Sequence, residues 1–255
     1  MAYGRSANPA LNKNTFKTFS YPATDQKVMT LQGTVNRILI MLVLVILAAA
    51  YTWKLFFGAL DPATGASSVM IWMIGGAIGG LITALVTIFK KTWAPITAPL
   101  YAVLEGLFLG GVSALFEAQY PGIVIQAVAL TFGTLLALLM AYKSGLIKPT
   151  ENFKLGVVAA TGGIFFVYLI SFILGFFGIH IGFIHGNGLF GIGFSLFVII
   201  IAALNLVLDF DFIESGAKAG APKYMEWYAA FGLIVTLIWL YLEFLRLLAK
   251  IASRR

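Results

Sequence analysis

The sequence predicts an all-α integral membrane protein built as a seven-helix transmembrane bundle, and three observations predict it. Hydrophobic residues make up 60% of the 255-residue chain and charged residues only 11%, with a mean hydropathy of +0.96; soluble domains carry roughly 25% charged residues. Seven stretches stay apolar for about 20 residues, the length that crosses roughly 30 Å of hydrocarbon. Nearly all the charge falls between them. Backbone groups cannot be left unpaired in lipid, so each stretch must be a helix. A barrel would need short alternating segments instead, and none appear.

Residues 1–35 are polar, carry Arg5, Lys13, Lys17 and Lys27, and lack an early apolar core. They read as a cytoplasmic tail rather than a cleaved signal peptide. The transmembrane domain follows over residues 36–250. Ile38–Phe57 is the first span, and Lys54 near its end is placed to snorkel to the interface. Val69–Phe89 is closed by Lys90 and Lys91, and Ile96–Phe116 carries Glu105. Ile123–Tyr142 and Leu155–Phe177 flank a connection with Lys143, Lys148 and Lys154. Phe190–Leu208 runs into Asp209, and Tyr228–Ala249 leads to a basic tail at 251–255.

Charge sign alternates along the connections. Arg37, Lys90, Lys91 and the Lys143–Lys154 group mark one side, and Asp61, Glu117 and the connection with His180 and His185 mark the other. The positive-inside rule then puts the amino terminus in the cytoplasm. Seven crossings leave Lys250, Arg254 and Arg255 outside, against that rule, and six earlier spans outvote one tail. The formal charge of +7 fits loops facing anionic lipid better than a nucleic-acid partner. With no cysteine in the chain, disulfides and thiolate-metal sites are excluded. A monomer in the bilayer is the expectation.

Glycines spaced four apart occur in "GGAIGG" (Gly75–Gly79, Gly76–Gly80) and "GLFLGG" (Gly106–Gly110). Such pairs let helix backbones approach closely in lipid; the alternative is glycine scattered without a packing role.

The chemistry lies in charges placed in the wrong solvent. Glu105 falls near the middle of its span, about ten residues from each end at 1.5 Å per residue. An acid there costs about 3 kcal/mol on insertion scales and so faces the bundle interior, either for function or for a structural hydrogen bond. Glu243 and Arg246 are three apart on one helix face and pair locally. Asp209 and Asp211 are two apart and cannot share a face. By residue physics alone they read as a solvated helix end before the loop "ESGAKAGAP". Asp209 is the one kept on the bundle side, and Asp211 meets water or Lys218.

The run "ALNLVLDFDFIESGAKAGAPKYMEWYAAFGLIVTLIWLYLEFLRLLA", with "APLYAVLEGLFLGGVSALFE" and "NPALNKNTF", resembles the Bax inhibitor-1 family of membrane proteins, in its bacterial YccA-like branch. The resemblance implies a seven-helix bundle with the last helix at the centre, in a bacterial inner membrane. It also implies a pH-sensitive calcium leak, in which an aspartate ending the sixth helix pairs with another in the seventh. Asp209 matches the first aspartate and Arg246 the arginine near the end of the seventh helix. Thr236 stands where the second aspartate is expected, and it cannot titrate. A two-carboxylate sensor would have to draw on Glu105, Asp211 or Glu243. Asp209, Asp211, Glu105, Glu243 and Arg246 are therefore the gating and pH-sensing candidates. Asp209 is also a weak calcium ligand, since calcium seeks about six to eight oxygens. No other cofactor is expected.

Two other classes compete. Some bacterial relatives are associated with a membrane protease, so a non-conducting interaction protein using the amino tail is the alternative. An enzyme is not expected. "GIGFSLF" around Ser195 lacks the glycine of a rhomboid-type serine site, and the tyrosine-aspartate and G-x-G-D signatures of intramembrane aspartyl proteases are absent. His180 and His185 are five apart, without the H-E-x-x-H spacing for zinc, and read as interfacial residues.

Overall fold

The computed structural model describes residues 28–178, 186 and 188–254. His180, His185 and most of the polar tail lie outside these residues. Within them the chain folds into seven long helices with no strand. They are α1 (Leu31–Phe57), α2 (Pro62–Phe89), α3 (Ala94–Gln119), α4 (Ile123–Lys143), α5 (Glu151–Phe176), α6 (Leu189–Lys218) and α7 (Met225–Ala252). Each is long and apolar enough to cross a membrane, so this is a multi-pass membrane protein.

The helices outrun the spans expected from hydropathy because their ends are capped by polar residues that hydropathy discounts. α1 begins at Leu31, where the Thr30 hydroxyl accepts the Gly33 N–H at 3.0 Å. α2 begins at Pro62, a residue suited to a first helical position, with Asp61 accepting the Thr64 N–H at 2.8 Å and its hydroxyl at 2.9 Å. Those two bonds hold the Asp61 carboxyl below the usual carboxylate range. α4 is capped from the preceding helix, for Glu117 accepts from Gly122 N at 2.6 Å and Val124 N at 3.1 Å.

The largest departure is α6. It does not stop at Leu208 but continues through Asp209 and Asp211 to Lys218. Gly220 ends it with a φ of 64°. The Gly220 N–H returns to the Ala217 carbonyl and the Ala221 N–H to that of Gly216, the pattern that satisfies a helix's last carbonyls.

The chain divides into two compact units. One comprises residues 28–124 and 213–235. In it α3 packs along α1 and α2, and glycine sets the spacing. A Cβ on Gly76 would meet the Leu104 carbonyl at 2.5 Å, one on Gly106 the Val45 carbonyl at 2.6 Å, and one on Gly110 the Ala49 carbonyl and the Thr52 hydroxyl. Gly75 faces open space, so the Gly75–Gly79 pair packs less closely than expected.

The second unit comprises residues 125–212 and 236–254. Its apolar centre is Ile164, Val198 and Ile201, packed by Leu204, Phe194 and Trp239. α7, which contributes to both units, is the most enclosed helix: 67% of its apolar stretch is buried, against 11% for α1.

Candidate functional site

The unit formed by residues 125–212 and 236–254 holds most of the sequence-derived candidates. Asp209 on α6 is 0% exposed, which overturns the reading of a solvated helix end. Thr236 on α7 is close enough to act on the Asp209 carboxyl, yet neither carboxyl oxygen has a well-aligned hydrogen bond among the described residues. One turn back on the same face, Asn205 donates to the Thr161 hydroxyl of α5 and to the Ile201 carbonyl, both at 2.8 Å. Thr161, Asn205, Asp209 and Thr236 thus form a polar group drawn from three helices.

Asp211 points elsewhere. Its carboxylate meets Lys154 of α5 at 2.7 Å, not Lys218, which pairs instead with Glu214 one turn away. Lys154 is only 7% exposed on its side chain and also stands 3.8 Å from Glu151. Continuing the helix past Leu208 brought Asp211 round to α5, a contact that a loop reading could not anticipate.

Toward the other end of α7 lies a second polar group. Glu243 is 1% exposed on its side chain and pairs with Arg246 at 2.7 Å, as its spacing predicts. It also accepts the Tyr168 hydroxyl at 3.1 Å, and the Arg246 guanidinium lies 5.3 Å from the Tyr168 ring centre. One turn on, the buried Lys250 donates to the Gly191 carbonyl and to Ser195 Oγ, each at 2.9 Å. The apolar layer of Ile164, Val198, Ile201 and Trp239 lies on these three helices between the two polar groups. Tyr168, Lys154 and Lys250 were missed as site residues because each becomes polar neighbour to a buried group only through another helix.

The unit of residues 28–124 and 213–235 holds Glu105, whose carboxylate sits against Gly80 of α2, where a Cβ would come within 2.5 Å of Oε2. Its side is only half-buried. The same unit contains an acid that the sequence reading passed over. Glu226 at the start of α7 is 0% exposed. One oxygen accepts the Thr30 N–H and hydroxyl at 3.0 Å each and the Lys223 ammonium at 2.6 Å. The other lies 3.8 Å from Arg37 Nε, and Arg37 in turn sits 4.7 Å over the Trp227 ring. The Met29 N–H donates to the Ala221 carbonyl at 2.7 Å, so the chain ahead of α1 is clamped to the α6–α7 connection. The Lys223–Glu226 spacing of three was the available signal.

Of the acids considered as a second carboxylate, Asp211 pairs with Lys154 and Glu243 with Arg246. The residue brought to Asp209 is Thr236, the position the resemblance assigned to the missing partner. Among the described residues no group of three or more His, Cys, Asp or Glu side chains could hold a metal ion.

Seven apolar helices, with a buried aspartate ending the hydrophobic run of the sixth, define a multi-pass membrane protein with a carboxyl held inside the protein. The family model for Bax inhibitor 1 like proteins matches residues 8–253, and the chain belongs to that family. Neither a curated relative nor a solved structure matches it.

Proposed function

We propose that this protein is a membrane-embedded cation leak of the bacterial inner membrane, in the YccA-like branch of its family, with its amino terminus in the cytoplasm. The carrying observation is the Asp209 carboxyl, fully buried, with the Thr236 hydroxyl beside it and no ion pair among the described residues. A buried carboxylate with no paired cation is costly, so a site that retains one must compensate the charge with a cation or a proton. Asn205, Thr161 and Thr236 give that cation a polar lining, and the apolar layer beyond them keeps the passage closed at rest. A proton on Asp209 removes the charge that attracts the ion, so passage depends on pH. No chemistry on a substrate is invoked, and the protein acts as a monomer without a tightly held cofactor.

Vesicles carrying the purified protein test this. Cations should leave faster than from empty vesicles, with a rate that varies with pH. Asp209→Asn, which is neutral at every pH, should abolish that variation. Flux no greater than in empty vesicles would sink the reading.

The clamp at Glu226 supports the alternative, a non-conducting protein that contacts a membrane protease through its amino tail. Because the clamp ties the start of α1 to the α6–α7 connection, a partner holding the tail would act directly on that connection. Deleting residues 2–26 should then abolish protease capture while the helices stay folded.

A further inference from the structure

We propose that the start of α7 carries a binding site for the headgroup of an anionic phospholipid, built on Arg37, Lys91 and Lys223. The site is separate from Asp209 and independent of the leak reading.

It grows from one buried acid. The Glu226 side chain is 0% exposed, and two cations stand over it. Lys223 takes one carboxylate oxygen at 2.6 Å. Arg37 Nε approaches the other only to 3.8 Å, and neither of those two atoms has a hydrogen bond among the described residues. The Lys223 and Arg37 side chains are 41% and 32% exposed, so the surface meets two positive charges while the negative one lies beneath. A third cation arrives from the α2–α3 connection. Lys91 Nζ lies 5.6 Å from the Tyr228 ring centre, one residue on from the Trp227 ring that carries the Arg37 guanidinium at 4.7 Å. Two cations over one hidden acid already leave a net positive surface, and Lys91 adds to it.

That surface selects an anion. A guanidinium laid flat on an indole keeps its planar fork of donors oriented, a geometry matched to phosphate oxygens. A zwitterionic headgroup would bring its own ammonium against these cations and be repelled. The apolar neighbours then select a lipid over a dissolved phosphate. Phe89 and Trp93 bracket Lys90 and Lys91 in the chain, and both aromatic side chains are exposed. Exposed aromatic surface beside basic residues marks the level where hydrocarbon meets headgroups. A lipid sets its acyl chains against that surface, whereas a dissolved phosphate gains nothing from it.

The test uses the full-length protein in a nonionic detergent. Its thermal midpoint is followed as phosphatidylglycerol, phosphatidylcholine or inorganic phosphate is added at constant ionic strength. Phosphatidylglycerol should raise the midpoint saturably, and the other two should raise it much less. Arg37→Gln and Lys91→Gln should each increase the half-saturating phosphatidylglycerol concentration about fivefold, the effect of one basic residue at an anionic surface. Lys148→Gln removes an exposed lysine from the α4–α5 connection and should leave that concentration unchanged. Equal stabilisation by phosphatidylcholine overturns the anionic preference, and equal stabilisation by inorganic phosphate overturns the assignment to a lipid. A loss in Lys148→Gln as large as that in Lys91→Gln reduces the site to general surface charge and overturns it. An unaltered titration in Lys91→Gln does the same, so the matter is decided even if Arg37→Gln fails to fold.

Discussion

Asp209 and Asp211 sit two residues apart on α6 and point about 200° apart, because a helix turns once in 3.6 residues. One is enclosed beside Thr236, and the other reaches Lys154. The same attention to what stands beside each acid brings out Glu226. It serves Thr30, Lys223 and Arg37 at once, and it lies so close to Gly33 that a Cβ there would collide with its carboxylate. Glu226→Ala should cost roughly 2 kcal/mol, combining a lost helix cap with donors left unmet. Gly33→Ala should destabilise the wild type but cost much less in the Glu226→Ala background. Thermal unfolding of the four proteins in detergent measures that coupling, and strict additivity would mean that the two residues do not share a site.

At the scale of elements, α3 owes its position to backbone-to-backbone approach. Gly110 sits where a side chain would strike the Ala49 carbonyl and the Thr52 hydroxyl of α1, whereas Gly75 looks into open space. Both lie in glycine-rich runs, yet Gly110→Ala should destabilise by about 1–3 kcal/mol through forced separation of α1 and α3. Gly75→Ala should be neutral or slightly stabilising, since alanine favours the helix. Equal unfolding midpoints for the two variants would refute the packing role of Gly110. The helix ends follow the same logic, as caps such as Asp61 and Thr30 extend α2 and α1 beyond their hydrophobic cores.

For the whole molecule, the distribution of apolar surface matters most. α1, α2, α4 and α5 carry many exposed large hydrophobic side chains, such as Leu47, Ile71, Met140 and Phe165, and the burial of α7 is the opposite extreme. In water such surface would aggregate; against lipid it costs nothing. Seven crossings would place the two ends of the chain on opposite sides of the membrane. The chain has no cysteine, so single cysteines report sidedness without background. Cysteines at Lys90 and Lys148 should be labelled from one side, and those at Asp61 and Ser253 from the other. Labelling of Ser253 together with Lys90 would show that α7 does not cross.

The membrane class, the number of helices and the Glu243–Arg246 pair were legible in the sequence, because each depends on local composition or on spacing within one helix. Family likeness singled out Asp209 and the odd threonine at position 236, and the structure shows Asp209 buried. That Thr236 faces Asp209, that Asp211 belongs to Lys154 and that Glu226 clamps the start of α1 were settled by tertiary structure. Those contacts join residues distant in the chain, and hydropathy records how much a residue dislikes water without recording which neighbour another helix brings to it.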